Sequence, residues 1–569
     1  MLTLVRRLSS ALLLSVVFMA AGYSPIFSAQ EPANEAPHVV VFCPQRFVEA
    51  IRPWIEFRTQ QGYAVDLVIP ETLADSNAPA VSPDILRQEI RRLAQEVPVK
   101  SLILVGPARA GETAGDAFIP SPLLTSLVTK DYGPEEPIAS DTWYADLNDD
   151  GWPEISIGRL PARTPQELAS VVTRILAYET TLPAGPWQRH VNLVAGMGGF
   201  TAIIDKTVEM VVRRIFFDAI QSDLDLAITQ ANWKSPFCPS PPQFSDVVTA
   251  RISEGSLFFI YLGHGLPEQF DYVPTPVEDY PIFDITDVAN VRCVDGPPIA
   301  LLFSCYGAAC DLTTPSVGES LFLSPTGPIA VLSGTRVTMP YGMAALGIEM
   351  LTQTSQAKGR VRSHMLLGDV ILEAKRKMVI DMEQKPSERQ DEEKSVRTFV
   401  DDTARIFDPS AKRLDEQLLD HVHLMTLLGD PLLRIRFPDE LQVTAPETVY
   451  AGESITVTAT FPAGQPTQGE YTGEAELVLG PGRTAASRMS RKEYKETDDE
   501  MSQYQETYLA ANDRLKASVP MRKSGQGYTA TITVPDDCFG PHTVRVLLTS
   551  GLESGSGSQE IHVRAAKSR

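Results

Sequence analysis

Two reactive side chains each follow an apolar run of strand length. The run Leu257–Leu262 leads to His264, which stands between two glycines, and the run Ile299–Ser304 leads directly to Cys305. Such runs are typical of buried parallel strands, and in open α/β sheets reacting groups collect beyond the carboxyl ends of the strands. A thiol becomes a competent nucleophile at neutral pH when a base or a positive charge lies beside it. The pattern therefore predicts that His264 and Cys305 meet at one edge of a sheet.

The glycines beside His264 strengthen this prediction. Gly263 and Gly265 allow the backbone to turn sharply and a substrate carbonyl to approach, and the Gly265 amide is then placed to donate to an oxyanion. Taken alone, a strand-end histidine or a buried cysteine is more often a packing residue. The presence of both, in this order, favours a catalytic pair. Cys310, five residues further along, is the alternative nucleophile.

The elements around this pair predict an α/β fold. Alternating strand and helix patterns imply a parallel sheet with right-handed crossovers, and one helix has Ser82 as its cap and Pro83 in its first turn. We predict two parallel-sheet units in tandem, residues 37–185 and 186–437. The predicted strands are His38–Phe42, Tyr63–Ile69, Ser101–Gly106, Val191–Gly196, the two runs above and Pro328–Gly334, with a long helix over Ile204–Ile220 and the region closing at Leu427–Pro431.

The carboxyl-terminal part has a different pattern. In residues 438–569, apolar side chains alternate with threonines around Ile455–Phe461 and Tyr528–Val534, which is the period of half-solvated strands. We predict an all-β, immunoglobulin-like sandwich here. A segment near residues 487–515 is rich in charge and poor in large apolar groups. It is predicted to be a solvated helix or a disordered insertion rather than a binding element.

Composition narrows the classes of function. The chain has 569 residues and 43% apolar content, which is enough for two to four domains with ordinary cores. Its 72 acidic and 50 basic residues argue against a nucleic-acid binder, which needs a concentrated basic face. Six cysteines are too few for a disulfide scaffold. If Cys305 is free, at least one of the other five must be free as well.

The amino terminus resembles a secretory signal peptide. Arg6 and Arg7 precede an apolar stretch over residues 11–21, so we expect residues 1–29 to be a signal and the mature protein to be secreted, periplasmic or on the cell surface. Cleavage after Gly22 or after Ala29 is left open. A retained membrane anchor is the less favoured alternative, because the stretch is short for a span of about 20 residues. No later segment is expected to cross a membrane.

An acidic loop provides one candidate metal site. Asp146, Asn148 and Asp150 alternate before a glycine, and Glu154 follows, which suits the first half of a calcium loop. The distal glutamate of such loops is absent, because position 157 is isoleucine. A surface turn built by Asp and Asn side chains is an equal alternative. Apart from this structural calcium, no cofactor is expected to be required.

Taken together, these motifs resemble the gingipain family of cysteine peptidases, within the caspase-like clan. The resemblance extends from Pro37 to the carboxyl terminus. It is carried by the Gly-His-Gly after one strand, the Cys305 strand, the segments Asp141–Asp146, Glu154–Thr164 and Leu427–Arg434, and the β-rich region that follows.

The resemblance implies an exported cysteine endopeptidase acting on protein or peptide substrates. In that family the cysteine attacks the scissile carbonyl and the histidine protonates the leaving amine. Carried over, Cys305 is the nucleophile and His264 the general acid/base. The amides of Gly265 and Cys305 would form the oxyanion hole.

Two departures from the family pattern bear on activity and specificity. The carboxylate that orients the histidine in gingipains is replaced by Met197. The acidic residue of the substrate pocket is best matched by Asp205, although an aspartate favoured by a helix amino terminus is an equal alternative. The segment Ser333–Tyr341 is expected to form the other pocket wall. Cleavage after Arg or Lys is thus one expectation. The alternative function is a catalytically weak or inactive relative that serves as a cell-surface binding or adhesion module.

Overall fold

The strands and helices of the computed structural model follow the predicted alternation. The model describes residues 36–73, 81–109, 117–128, 137–196, 222–355, 364–383, 393–407, 410–462, 470–480, 491 and 493–566. In chain order, the strands of the α/β region are β1 (His38–Phe42), β2 (Ala64–Val68), β3 (Val99–Val105), β4 (Leu123–Leu124), β5 (Ile138–Ala139), β6 (Ser156–Leu160), β7 (His190–Ala195), β8 (Asp225–Gln230), β9 (Phe258–Leu262), β10 (Gly265–Leu266), β11 (Gln269–Phe270), β12 (Tyr272–Pro274), β13 (Asp279–Pro281), β14 (Ile299–Phe303), β15 (Ala330–Gly334) and β16 (Met425–Leu428).

The helices of the described residues flank these strands. They are α1 (Val48–Gln60), α2 (Pro83–Glu96), α3 (Thr142–Ala145), α4 (Pro165–Thr180), α5 (Phe244–Ser253), α6 (Val317–Leu323), α7 (Pro340–Ser355), α8 (Leu367–Glu383), α9 (Glu393–Phe407), α10 (Ala411–Leu424) and α11 (Asp498–Asn512). The predicted start of α2 is confirmed, because the Ser82 side chain accepts a hydrogen bond from the Ile85 amide. The predicted helix over Ile204–Ile220 lies outside the described residues.

One ten-stranded sheet runs through the whole α/β region, in the order β2-β1-β3-β6-β16-β15-β14-β9-β7-β8. Two separate sheets in tandem are therefore not confirmed. Strands β2, β1, β3 and β6 run parallel to one another and to β16, whereas β16 is antiparallel to β15. The remaining strands run parallel to β15. Strand direction therefore reverses between β16 and β15, which both belong to the second half of the region, residues 186–437; the first half is residues 37–185.

Glycine makes the joint between the halves possible. Strand β6 approaches the end of β16 so closely that a Cβ atom at Gly158 would lie 2.3 Å from the Gly429 carbonyl oxygen. The Gly429 amide donates to the Arg159 carbonyl across this joint. The two predicted units are fused because neither strand carries a side chain at the contact.

Helices cover both faces of the sheet. On one face, α2 packs through Leu86 and Ile90 against Val40 of β1 and Leu102 of β3. On the other face, α1 and α4 pack against Val39 and Val41 of β1, and one continuous apolar core extends from there through the second half of the region. This arrangement of three layers buries the strands on both sides, which explains their continuous apolar sequences.

A buried ion-pair network ties α1 to the turn after β16. The Arg58 guanidinium donates to Asp430 at 2.6 Å and to Glu179 at 2.8 Å, and all three side chains are almost completely buried. Asp430 also accepts hydrogen bonds from the Trp54 indole and the Leu432 amide. Each oxygen of Asp430 is therefore satisfied by the fold itself, and the network links the two halves of the sheet.

The carboxyl-terminal region forms two sheets over a common core. Its strands are β17 (Asp439–Glu440), β18 (Gln442–Thr444), β19 (Thr448–Tyr450), β20 (Ser454–Thr460), β21 (Thr472–Leu479), β22 (Leu515–Pro520), β23 (Arg522–Ser524), β24 (Gly527–Thr533), β25 (Gly540–Ser550) and β26 (Glu553–Arg564). One sheet has the order β17-β26-β25-β21-β22 with β19 beside β26, and the other has the order β18-β20-β24-β23. Side chains of both sheets share one apolar cluster. The immunoglobulin-like type stays a prediction.

The charged insertion of this region is not simply solvated. Helix α11 lies against β8, the last strand of the large sheet, and buries Tyr504 and Tyr508. The Asn512 side chain accepts from the Ile228 amide at 2.7 Å and donates to the Ile228 carbonyl at 3.0 Å. This contact could not be predicted from the composition of the segment, because only a few residues of the helix make it. The carboxamide occupies the hydrogen-bonding groups that a neighbouring strand would use.

Replacing Asp430 tests the buried network. Asp430→Ala leaves the Arg58 charge inside the protein with one partner fewer, so we expect the free energy of unfolding to fall by about 3–5 kcal/mol. Urea denaturation followed by circular dichroism measures this loss. The matched control is Glu49→Ala, which removes a carboxylate from the exposed pair with Arg52 and should change stability by less than about 0.5 kcal/mol. Equal losses in the two variants would contradict the assignment.

Candidate active site

The ends of β9 and β14 set the geometry of the site. These strands are neighbours and run parallel, and Leu262 is paired with Phe303 at their carboxyl ends. His264 and Cys305 each follow two residues later, so they leave the sheet at the same level. Adjacent strands lie about 4.8 Å apart, so both residues lie close together just beyond the carboxyl ends of these two strands. The prediction that the two runs form parallel strands of one sheet is confirmed, and the structure shows in addition that they are neighbours.

The His264 turn contacts the Cys305 backbone. A Cβ atom at Gly265 would lie 2.6 Å from the Cys305 carbonyl oxygen and 3.0 Å from the Ser304 side chain. A Cβ atom at Gly263 would lie 2.6 Å from the Tyr261 hydroxyl oxygen. Both glycines are thus required by packing within the protein, beyond the substrate access proposed from sequence. The His264 side chain itself is exposed to solvent.

Thr338 contacts the Cys305 sulfur directly. The Thr338 amide donates to Sγ of Cys305 at 3.3 Å, and the Thr338 hydroxyl lies 3.5 Å from the same sulfur. This residue belongs to the segment Ser333–Tyr341 that was predicted to form a pocket wall. Sequence analysis did not single out Thr338. The only signal for it is its place in the loop after β15, the strand next to β14.

The chain after Cys305 is held in an unusual conformation. Tyr306 has a φ angle of +58°, which side chains other than glycine rarely adopt and which costs free energy unless neighbours enforce it. The Tyr306 amide donates to the Arg336 carbonyl, and the Arg336 guanidinium forms a largely buried ion pair with Asp311. These bonds hold Cys305 on a tight turn, with its side chain half-buried at the sheet edge.

Of the two predicted pocket residues, the structure describes Tyr341 but not Asp205. Tyr341 is half-buried in α7, and its hydroxyl donates to Asp401 at 3.0 Å. Burial, together with the negative charge of Asp401, raises the pKa of Tyr341 to about 12. Met197 and Asp205 lie outside the described residues. The pocket assignment therefore stays a prediction for both Asp205 and Tyr341.

Cys310 does not suit the role of nucleophile. Its side chain is 4% exposed, and burial, together with the Glu319 carboxylate, raises the pKa of its thiol well above the usual value. A thiol in such surroundings stays protonated and out of reach of a substrate. All six cysteines are free thiols, and Cys305 is the one that is not fully buried.

The predicted calcium loop is occupied by protein groups. The Asp146 carboxylate accepts from the Asp149 amide at 2.7 Å and lies 3.1 Å from the Arg87 guanidinium. Glu154 accepts from the Leu147 amide. The Asn148 side-chain nitrogen donates a hydrogen bond to the Asp150 carboxylate at 2.9 Å.

Two guanidinium groups already pair with two carboxylates of this loop, so these residues fit an arginine-stabilised turn better than a cation site. Arg87 reaches both Asp146 and Asp149, and Arg91 lies 2.8 Å from Asp149. Across the described residues, no group of three or more His, Cys, Asp or Glu side chains is arranged to hold a metal ion. Calcium binding at this loop stays a prediction.

Comparison with known proteins places this site in a family. The model of Peptidase family C25 matches residues 32–436. Among curated proteins, Lys-gingipain W83 of Porphyromonas gingivalis is 24% identical over 165 residues, which are 29% of this chain and 8% of that protein. Another Lys-gingipain of P. gingivalis is 22% identical over 169 residues, covering 29% of this chain and 9% of that protein. The chain thus spans less than a tenth of the length of these relatives.

Solved structures show the same fold. The crystal structure of the Arg-specific cysteine proteinase gingipain R covers 95% of this chain and 100% of its own, with a TM-score of 0.52 and 15% identity. The complex of the pro- and mature domains of P. gingivalis RgpB covers 93% of this chain, with a TM-score of 0.51 and 15% identity. The family match spans most of the α/β region, including both strand ends that bear His264 and Cys305. The chain belongs to Peptidase family C25, the gingipain-like cysteine peptidases.

Proposed function

We propose that this protein is a cysteine endopeptidase that hydrolyses peptide bonds through a dyad of Cys305 and His264. The observation that carries the proposal is the contact between the two strand ends. Parallel pairing of β9 with β14 brings both residues to the same level, and the Gly265 backbone lies against the Cys305 carbonyl. Neither residue is fully buried, so a peptide can reach both.

The chemistry of this arrangement is acyl transfer in two steps. His264 takes the proton of the Cys305 thiol as Sγ attacks the scissile carbonyl carbon. The C–N bond then breaks as His264 passes that proton to the leaving amine. This leaves a thioester between Cys305 and the amino-terminal product. His264 then takes a proton from water, which attacks the thioester carbonyl and releases the carboxylate product and the free thiol.

The oxyanion hole in this proposal consists of the Gly265 and Cys305 amides. Both belong to the two adjoining turns, so their positions depend on the same contact that joins His264 to Cys305. Backbone donors held by the fold need no reorganisation when charge develops on the substrate oxygen. The absence of a side chain at Gly265 keeps the two turns at this separation.

Substrate preference and location are further parts of the proposal. We infer cleavage after basic residues, with Asp205 as the pocket carboxylate and Tyr341 in the facing wall. We also infer export through the segment of residues 1–29. In the part of the chain that the structure describes, no helix has both the length and the apolar character needed to span a bilayer.

Covalent labelling tests the dyad. We expect a thiol-directed peptide inhibitor to label Cys305 stoichiometrically in the wild type, as measured by mass spectrometry of intact protein and its peptides. His264→Ala should slow labelling by roughly 100-fold or more, because the general base is lost. Cys310→Ala is the matched control and should label like the wild type. Equal labelling of the wild type and His264→Ala would instead favour the binding or adhesion function.

A methyl group at Gly265 tests the contact between the turns. In Gly265→Ala the new Cβ atom meets a backbone oxygen at 2.6 Å, so one turn must shift. A shift of about 1 Å is enough to lower kcat by about 100-fold. The control is Gly347→Ala in α7, where the nearest atom lies at an ordinary contact distance of 3.4 Å and activity should be unchanged. Steady-state kinetics on a cleavable peptide compares them, and a normal kcat for Gly265→Ala would count against the geometry.

A peptide library tests the pocket. The wild type is expected to cleave after Arg and Lys, and Asp205→Asn should reduce the preference for basic over neutral residues by about tenfold or more, because a charged pair is lost in the pocket. Asp246→Asn, which changes an exposed carboxylate in the first turn of α5, is the control. Sequencing of the cleavage products gives the preference. An unchanged profile in Asp205→Asn would remove Asp205 from the pocket.

A further inference from the structure

Tyr261 is a fully buried tyrosine on β9, three residues before His264. Its hydroxyl donates to the His264 carbonyl oxygen at 2.7 Å. The same hydroxyl oxygen accepts from the Asp271 amide at 3.2 Å. One side chain therefore bridges the turn that bears His264 and the chain that returns from the following hairpin.

The ring of Tyr261 is held as firmly as its hydroxyl. It stacks on Phe270 with ring centroids 4.0 Å apart and planes 8° from parallel, and Phe270 packs in turn on Phe283. Burial raises the pKa of Tyr261, so the hydroxyl stays protonated and remains a donor. A phenylalanine would fill the same space. The buried hydroxyl is therefore explained by its two hydrogen bonds rather than by packing.

The backbone around Tyr261 leaves room for this hydroxyl. A Cβ atom would lie 2.6 Å from it at Gly263 and 3.1 Å from it at Gly196, the residue that follows β7. The ends of the neighbouring strands β7 and β9 thus both lie against one oxygen atom. The first glycine of the Gly-His-Gly motif is needed for the tyrosine as well as for the turn.

We propose that Tyr261 is a positioning residue, whose hydroxyl fixes the backbone of His264 and thereby the place of the imidazole relative to Cys305. This inference rests on the proposed dyad. The bond from the Tyr261 hydroxyl restrains the His264 backbone directly, and the position of this backbone limits where the imidazole can lie relative to the sulfur. Tyr261 does not touch the substrate and acts only through His264.

The test compares two buried tyrosines. Tyr261→Phe removes the hydroxyl alone, and Tyr144→Phe removes a buried hydroxyl that donates to the Pro120 carbonyl in the amino-terminal half. Both variants should lower the melting temperature by a few degrees, because each loses a buried hydrogen bond. Only Tyr261→Phe should lower kcat, by about tenfold with KM within about twofold of the wild type, and slow the labelling of Cys305 at neutral pH.

Gly196→Ala provides a second, independent variant. Its Cβ atom would lie 3.1 Å from the Tyr261 hydroxyl oxygen and 3.2 Å from the Gly263 Cα atom. We expect its kcat to fall about tenfold, and the combined variant with Tyr261→Phe to lose less than the product of the two effects. If Tyr261→Phe does not fold, Gly196→Ala alone decides the question.

The outcomes separate this inference from the proposed function. A kcat within about twofold of the wild type in Tyr261→Phe, or in Gly196→Ala where Tyr261→Phe does not fold, overturns the positioning role. Activity losses that merely follow the folded fraction in Tyr261→Phe and Tyr144→Phe overturn it as well. If Cys305 of the wild type is not labelled, both the proposed dyad and this inference are wrong. If the wild type is active and the kcat of Tyr261→Phe is unaffected, only this inference is wrong and the proposed dyad is retained.

Discussion

The register between β9 and β14 is the constraint on which the site depends. Because Leu262 pairs with Phe303, the two reactive residues leave the sheet at the same level. A slip of one residue would turn every side chain of a strand to the other face of the sheet, and burial on both faces makes this slip costly. The apolar core thus fixes the catalytic geometry indirectly, through strands that carry no reactive group themselves.

The reversal of strand direction at β16 has a second effect on the site. Five parallel strands run from β15 to β8, and their carboxyl ends share one edge, whereas the other strands end at the opposite edge. Chemistry in the first half would therefore face away from Cys305. The polar groups buried in that half serve the fold instead. Arg159, for example, bonds to Asp141 and to two backbone carbonyls.

The local parts of this structure could be predicted from sequence. Strand limits at His38–Phe42 and around Ile455, the Ser82 cap and the pairing of the His264 and Cys305 strands all follow from periodicity, capping chemistry and apolar runs. These signals are contained within a few neighbouring residues. The resemblance to gingipains added the family, which the match over residues 32–436 supports.

The distant contacts could not be predicted in the same way. Fusion of the two halves depends on Gly158 and Gly429, which are far apart in sequence and have no distinctive neighbours. The approach of Thr338 to the Cys305 sulfur depends on the path of a loop with no periodic signal. In the same way, the packing role of Gly263 depends on the Tyr261 hydroxyl beside it, and no local sequence pattern indicates this contact.

The contact of Asn512 with Ile228 has a consequence for the outermost strand of the large sheet. Strand β8 is the outermost strand of the large sheet, and an open strand of this kind is a template for pairing with another molecule. Helix α11 comes from the carboxyl-terminal region and masks this template within the same polypeptide. The carboxyl-terminal region therefore also protects the large sheet. A protein shortened to the α/β region would expose the backbone of β8 and be prone to self-association.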